Sequence, residues 1–497
     1  MSSQRAVRRV LCQCLALTML AMIGASRSPL VASTPLAQDA GPSKRPNILL
    51  AIADDWSWPH ASAYDDKAVS TPVFDRVARE GVLFGNAFVA APSCTPSRAA
   101  ILTGQYPHRL AEGSNLHGFL PSRFPVYPDL LEEADYYVGY TRKGWGPGRF
   151  EPGGRTRNPA GEQFKDFDSF LTSKPSNQPF VFWFGSQDPH RPYEEGSDTD
   201  AGIGLDRVEV PPHLPDTREV RSDLADYYAE VQRFDREVGE ILKRLDAAGE
   251  LDNTLVVITS DNGMPFPRAK ANLYDAGAHV PLAVRWPGKV TAGATIDGFV
   301  SLVDLAPTFL EVAGLEPPDQ MTGRSLLTLA ADEQDVDRDH VFIERERHAQ
   351  VRKGDLSYPM RAVRTRDWLY IRNLRPDRWP AGDPEMYFSV GPFGDIDGGP
   401  TKQALLDGRD DATLSRFFHL ATDKRPAEEL YDLRADPGQL RNLADDQTQA
   451  KSKAELRRLL DEWMRETGDP RATNDDDRWD RYPYYGGRAK TEPVKGE

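Results

Sequence analysis

The sequence predicts an α/β fold, a mainly parallel sheet sandwiched by helices, followed by a smaller C-terminal α+β region. Three observations carry this. Short unbroken apolar runs recur at 47–53, 179–185 and 253–260. A long amphipathic helical pattern separates the last two. Beyond about Gly323, strand patterns follow one another with no crossover helix between them. In order along the chain, "NILLAIA" (47–53) lacks the alternation of a half-exposed strand, so it reads as a strand covered on both faces. Thr71 before Pro72 reads as an N-cap followed by proline at the first helical position, and Gly81 closes that helix. "PFVFWFG" (179–185) and "NTLVVITS" (253–260) are two further buried strands. The helix between them, 217–248, places Leu224, Tyr228, Val231, Phe234, Val238, Ile241 and Leu245 on one face. Next come the shorter strands "HVFIE" (340–344), "RAVRT" (361–365) and "WLYIRN" (368–373), a loop-rich stretch at 374–426, and a helix at 451–466. The expected divisions are an α/β domain at 46–335, a C-terminal subdomain at 336–470 packed on it, and a disordered charged tail at 471–497.

The N-terminus has Arg5, Arg8 and Arg9 ahead of an apolar stretch and then small residues, the pattern of a secretory signal peptide over 1–32. A Ser/Pro/Ala-rich linker follows at 33–45. No later segment is long and apolar enough for a stable membrane span. The formal charge of −15 argues against a general nucleic-acid binder. The three cysteines are Cys12, Cys14 and Cys94, so removing the leader would leave one thiol and no intramolecular disulfide. A solitary cysteine in an exported chain is either an inert buried residue or a group with chemistry attached to it.

The chemistry concentrates at strand ends. Asp54 and Asp55 follow the first strand, and Asp261 and Asn262 follow the third. Ligands in open α/β sheets bind beyond the carboxyl ends of the strands. These four oxygen-bearing side chains therefore form either a pair of turns and caps or a site for a hard cation such as Ca2+ or Mg2+. Cys94 starts the helical stretch "CTPSRAAILTG", where free backbone N–H groups favour an anion, and Arg98 lies one turn on. A thiolate suits neither Ca2+ nor Mg2+, so a simple cysteine enzyme does not account for the combination.

"CTPSRAAILTG" resembles the signature of the type I, formylglycine-dependent sulfatases. "PNILLAIADD", "ITSDNG", "LYDAGAHVPLAVRWPG", "SLVDLAPTFLEVAGL" and "ELYDLRADPGQLRNLA" are similar to sulfatase segments and occur in the family's order. The resemblance implies an alkaline-phosphatase-like fold and conversion of Cys94 to formylglycine, whose hydrate supplies an oxygen nucleophile. It further implies one Ca2+ held by Asp54, Asp55, Asp261, Asn262 and the modified Cys94. Arg98 would hold the formylglycine, Lys143, His190 and Lys270 would grip sulfate, and His190 would protonate the leaving oxygen. A formylglycine-generating enzyme is the implied maturation partner. One position departs from the pattern: Trp145 stands two residues after Lys143, where many sulfatases have histidine. Indole is no base, and only His108 and His117 are at hand in the sequence as distant substitutes. "DNGMPFPRAKANLYDAG" and "DPHRPY" resemble the N-sulfoglucosamine sulfohydrolases more than the arylsulfatases, which implies a sulfated oligo- or polysaccharide substrate, N- or O-sulfated. Arg345, His348, Arg361, Arg378 and Trp379 are then expected to form a glycan subsite, the alternative being a solvated charged face. Two further readings of the whole chain are a phosphodiester or phosphonate ester hydrolase of the same fold, and an inactive glycan-binding protein that keeps the Cys94 thiol.

Overall fold

The apolar run at 47–53 forms β1 (Asn47–Ala53), every residue of which is buried. The computed structural model describes residues 44–331, 338–385, 391–473 and 476–486, so the leader and most of the linker lie outside the described residues. The remaining strands are β2 (Val82–Phe84), β3 (Ala87–Phe88), β4 (Tyr137–Arg142), β5 (Glu162–Phe164), β6 (Phe180–Gly185), β7 (Thr254–Ser260), β8 (Leu282–Arg285), β9 (Ala294–Ile296), β10 (Val300–Ser301), β11 (His340–Arg345), β12 (Met360–Thr365), β13 (Trp368–Asn373) and β14 (Glu428–Asp432). Eight of them form the main sheet in the order β5-β4-β6-β1-β7-β8-β2-β9. All its pairings are parallel except the two that β8 makes with β7 and β2.

The alternation of side chains along β1 shows how the sheet is covered. Ile48, Leu50 and Ile52 join a core containing Ile101 and Leu102 of the Cys94 helix and Phe309. Leu49, Ala51 and Ala53 point the other way, into a core built with Val231, Phe234, Val238 and Leu245 of the helix Arg218–Ala247. All seven positions on that helix's expected apolar face are buried. The helix Pro72–Glu80 starts with proline in its first turn and ends at Gly81. Helices on both faces of a mainly parallel sheet leave only its edges and strand ends for a site.

The C-terminal strands form an antiparallel sheet, β11-β12-β13-β14, backed by the helix Ala450–Glu466. Phe342, Val363, Tyr370 and Leu430 from the sheet pack with Leu456, Leu460 and Trp463 of that helix, and with Ala100 and Tyr106 from the Cys94 region. The α+β subdomain is thus seated against the element that carries the cysteine.

The tail differs from expectation. Residues 478–481 form a short helical turn, and Trp479 is fully buried. Its indole N–H donates to Ser114 Oγ at 2.8 Å, and its carbonyl accepts from Asn115 at 3.0 Å. Composition hid a single large aromatic anchor among charges, and that anchor orders 476–486. Residues 487–497 lie outside the described residues.

Candidate active site

Four adjacent parallel strands, β4-β6-β1-β7, deliver the site at their carboxyl ends. Lys143 follows β4, the loop with His190 follows β6, Asp54 and Asp55 follow β1, and Asp261 and Asn262 follow β7. The fifth contribution is Cys94, first residue of the helix Cys94–Thr103, which Gly104 ends in the left-handed conformation (φ 63°). One turn along that helix, Arg98 points back at the strand ends. It donates from Nε to Asp261 Oδ2 at 2.7 Å and from Nη1 to the carbonyls of Lys143 and Gly144 at 2.9 and 3.0 Å.

Asp54, Asp55, Cys94 and Asp261 are buried, and one ligand-capable atom from each lies within 4.8 Å of those of the others. Cys94 Sγ is 3.5 Å from Asp54 Oδ1. Asp55 holds a left-handed backbone (φ 80°), and its N–H donates to Asp261 Oδ1 at 3.1 Å. Such a conformation is costly for a residue with a side chain and needs support from its surroundings. Asn262 donates to Asp55 Oδ1 at 2.6 Å while its own Oδ1 is buried without a partner. Three carboxylates and an orphaned amide oxygen form a hard-oxygen donor set, which fits a divalent cation such as Ca2+. Basic side chains surround it. Lys143 pairs with Asp54, Lys270 Nζ donates to Asp55 Oδ2 at 2.7 Å, and His190 Nε2 stands 3.9 Å from the same oxygen.

The charges pull in opposite directions. Burial works to raise Asp54, yet Lys143, His190 and Arg98 together hold it well below the ordinary carboxylate range. Burial pushes Asp261 up against the pull of Arg98, with the Asp54 charge adding to the rise. Burial also pushes the Cys94 thiol well up, beyond what Lys143 and Lys270 offset. The encoded cysteine is a protonated thiol, packed against Leu116, Ala349 and Val351 rather than poised as a thiolate. Asp397, from the loop after β13, adds an acid at the mouth, 3.1 Å from Lys270 Nζ and clustered with His190 and Asp55. Burial opposes its ionisation, but Lys270 and His190 bring it down to about 2.

Residues 46–315 match the sulfatase family, and residues 268–383 match the C-terminal region of N-sulphoglucosamine sulphohydrolase. The chain belongs to the sulfatase family, the hydrolases of sulfuric esters. This sulfatase is 32% identical to human N-sulphoglucosamine sulphohydrolase over 85% of its own length and 91% of the relative's. It is 29% identical to an ulvan-active sulfatase of Formosa agariphila over 86% of this chain and 76% of that one. Among solved structures, a protein in complex with its substrate D-glucosamine-2-N,6-O-disulfate aligns with a TM-score of 0.63 at 21% identity, covering 87% of this chain and 100% of that one. A phosphonate monoester hydrolase from Silicibacter pomeroyi aligns at 0.58 and 18% identity, covering 86% and 97%. These two likenesses show the shared alkaline-phosphatase-like fold.

The sulfatase brings Asp54, Asp55, Cys94, Arg98, Lys143, His190, Asp261, Asn262 and Lys270 together. Of the residues expected to form a glycan subsite, four have partners within the protein. Arg345 is buried and spends its guanidinium on Asp395 and on the carbonyls of Ala271 and Pro380. Arg361 is buried among Glu344, Glu346 and Asp469. Arg378 pairs with Asp477 and Asp480, which belong to the ordered tail. Trp379 packs against an apolar cluster with Phe393, and Lys424 lies over its ring. Arg345 and Arg361 are thus buried on internal partners, while Arg378 and Trp379 are only partly buried. His348 lies at the site, buried, with Nδ1 2.8 Å from the hydroxyl of Ser93 beside Cys94. Trp145 is buried. Of the two distant histidines, His108 is locked to Glu344 at 2.7 Å in the C-terminal network and is removed as a base. His117 is brought down to about 4 by burial and by Lys143. Sequence reasoning missed Asp397, an isolated acid in a loop without periodicity or motif.

Proposed function

We propose that this is an exported sulfatase that removes sulfate from a carbohydrate, through formylglycine made from Cys94 and one Ca2+ held by Asp54, Asp55, Asp261 and Asn262. The observation that carries the reading is the cluster of three acids and Cys94 within 4.8 Å, ringed by Arg98, Lys143, Lys270 and His190. When present, the formylglycine hydrate and the cation supply an oxygen nucleophile and neutralise charge on the transferring group. The chain's own residues do the rest. Lys143 and Lys270 reach the non-bridging sulfate oxygens and offset the charge that develops there. Arg98 fixes the orientation at position 94 from the same helix. His190 Nδ1 faces the Arg191 carbonyl at 2.6 Å, which fixes Nδ1 as a donor and directs Nε2 to the site, 3.9 Å from Asp55 Oδ2. A protonated Nε2 there donates to the departing oxygen of the sugar.

The glycan reading, with N- and O-sulfate both open, is supported by the named activities of the relatives. Export rests on the leader over 1–32, and maturation requires a formylglycine-generating enzyme to meet the chain before Cys94 is buried. The test has two parts. Mass spectrometry of the peptide containing Cys94 from native material is expected to show aldehyde in place of thiol, and an unmodified thiol overturns the enzyme reading in favour of a binding protein. Desulfation of defined N- and O-sulfated oligosaccharides is then expected to exceed hydrolysis of matched phosphate and phosphonate esters. The reverse order makes the protein a phosphonate or phosphodiester hydrolase.

A further inference from the structure

A sulfate-binding site has no evident use for a carboxylate at its mouth. Like charge there opposes the incoming anion, and Asp397 is not among the three acids gathered around Cys94. The fold nevertheless holds it in place on both sides. Upstream, Asp395 is buried against Arg345 and Arg352 and accepts the Ala349 N–H at 3.1 Å. Its own N–H donates to the Ala381 carbonyl at 2.9 Å. Lys402 Nζ donates to the carbonyls of Phe393 and Ile396 at 3.1 and 2.7 Å, while both side chains sit in an apolar cluster. Downstream, Gly399 lies against the Arg191 guanidinium so closely that a Cβ would come within 2.5 Å of it. Thr401 is fixed by Asp223, which also pairs with Arg191. Between these anchors Asp397 retains 26% of its side-chain exposure and faces Lys270 and His190. Two ion-paired arginines, a buried lysine and an apolar cluster thus support one turn whose exposed product is a single carboxylate beside the residue that faces the leaving atom.

We propose that Asp397 is a specificity residue: its carboxylate accepts a hydrogen bond from a hydroxyl or amine on the sugar carbon next to the one bearing the scissile sulfate, and repels a second sulfate or carboxylate at that position. The inference rests on the sulfatase reading of the same site. A hydrogen bond to a charged acceptor contributes about 1.5–3 kcal/mol, or roughly 10- to 150-fold in kcat/KM.

The experiment compares the wild type, Asp397→Ala and Asp397→Asn on three substrates: a monosulfated sugar with a free neighbouring hydroxyl, its neighbouring disulfate, and a small aryl sulfate. Asp397→Ala is expected to lose at least ~10-fold more kcat/KM on the monosulfated sugar than on the aryl sulfate. Asp397→Asn is expected to narrow the preference for monosulfate over disulfate. Equal losses on all three substrates overturn the proposal and make Asp397 only a holder of Lys270. Calorimetric binding of the two sugars to the Cys94→Ala protein, with and without Asp397→Ala, separates the two readings. A shifted binding preference in a protein whose wild type desulfates none of the substrates overturns the sulfatase reading and keeps Asp397. Turnover with an unmoved preference does the opposite, and binding of neither sugar overturns both.

Discussion

Arg98 and Arg361 both have no exposed surface and both face buried carboxylates, yet their surroundings are used in opposite ways. Around Arg361 every guanidinium nitrogen has a partner. Nε and Nη2 reach Asp469 and Glu346, Nη1 reaches two carbonyls, and Arg471 closes the network on Glu346. Around Arg98 the pairing is incomplete: Nη2 faces Asp54 Oδ1 at 3.8 Å without a hydrogen bond, and Oδ1 of Asn262, next in sequence to Asp261, is orphaned. Asp261 is pushed up to about 6, while Asp469, opposed by burial but drawn down by Arg361 and His108, stands near 2. A saturated network holds the chain together. One that leaves a buried donor and a buried acceptor unmatched is built to receive something from outside.

The comparison breaks most visibly at Asp54. Asp54→Asn keeps the shape and one acceptor but removes charge from the donor set, and is expected to cost about 1,000-fold in sulfate-ester kcat/KM. Its thermal midpoint should move less than that of Arg361→Ala. If the two variants are equally destabilised, the strand-end cluster is a structural network and the distinction fails.

Arg361→Ala is the converse. It takes the guanidinium away from Asp469 and leaves Glu344 with His108 and Glu346 with Arg471 as their remaining side-chain partners, and removing one partner of a buried ion pair typically costs about 3–5 kcal/mol. Chemical denaturation should show that loss, with turnover per folded molecule retained. A normal midpoint with lost turnover would return Arg361 to the substrate subsite.

That outcome also measures what the sequence discloses. The strands and the long helix were legible because periodicity is local, and the acid pairs because each closes a recognisable run. Cys94, Arg98 and the two lysines were legible through motif. The internal pairing of the arginines at 345, 361 and 378 was not legible because their partners are remote: Asp395, Asp469 and Asp477 lie 50, 108 and 99 residues away. An arginine-rich stretch looks like a surface until its acids are found. Asp397 was invisible for the complementary reason, since its role depends on a loop anchored from Arg345, Arg191 and Lys402, none of them adjacent in sequence.

A third way to bury a titratable group is to leave it neutral, and it sharpens the contrast through pH. His279 stacks between Trp58 and Phe88 at 4.3 and 4.4 Å and donates from Nε2 to the Gly85 carbonyl at 3.0 Å. Burial, against the pull of Asp275, brings it from 6.5 down to about 4. His213, buried beside Arg268, is brought down to about 3. Below about pH 6.5 the unfolded chain takes up protons that these folded-state histidines refuse, so stability falls as pH drops from there towards 4. Each histidine contributes about 1.4 kcal/mol per pH unit over that window. Asp469 acts in the same sense over a lower window: its contribution is present above 3.8 and is lost only as pH falls towards 2. Urea unfolding at pH 7, 6, 5 and 4.5 should therefore show a decline that His279→Phe reduces by one histidine's share and Arg361→Ala leaves unchanged in slope. A flat profile across that range, or a slope abolished by Arg361→Ala, would place the acid sensitivity in the ion network instead of in the neutral histidines.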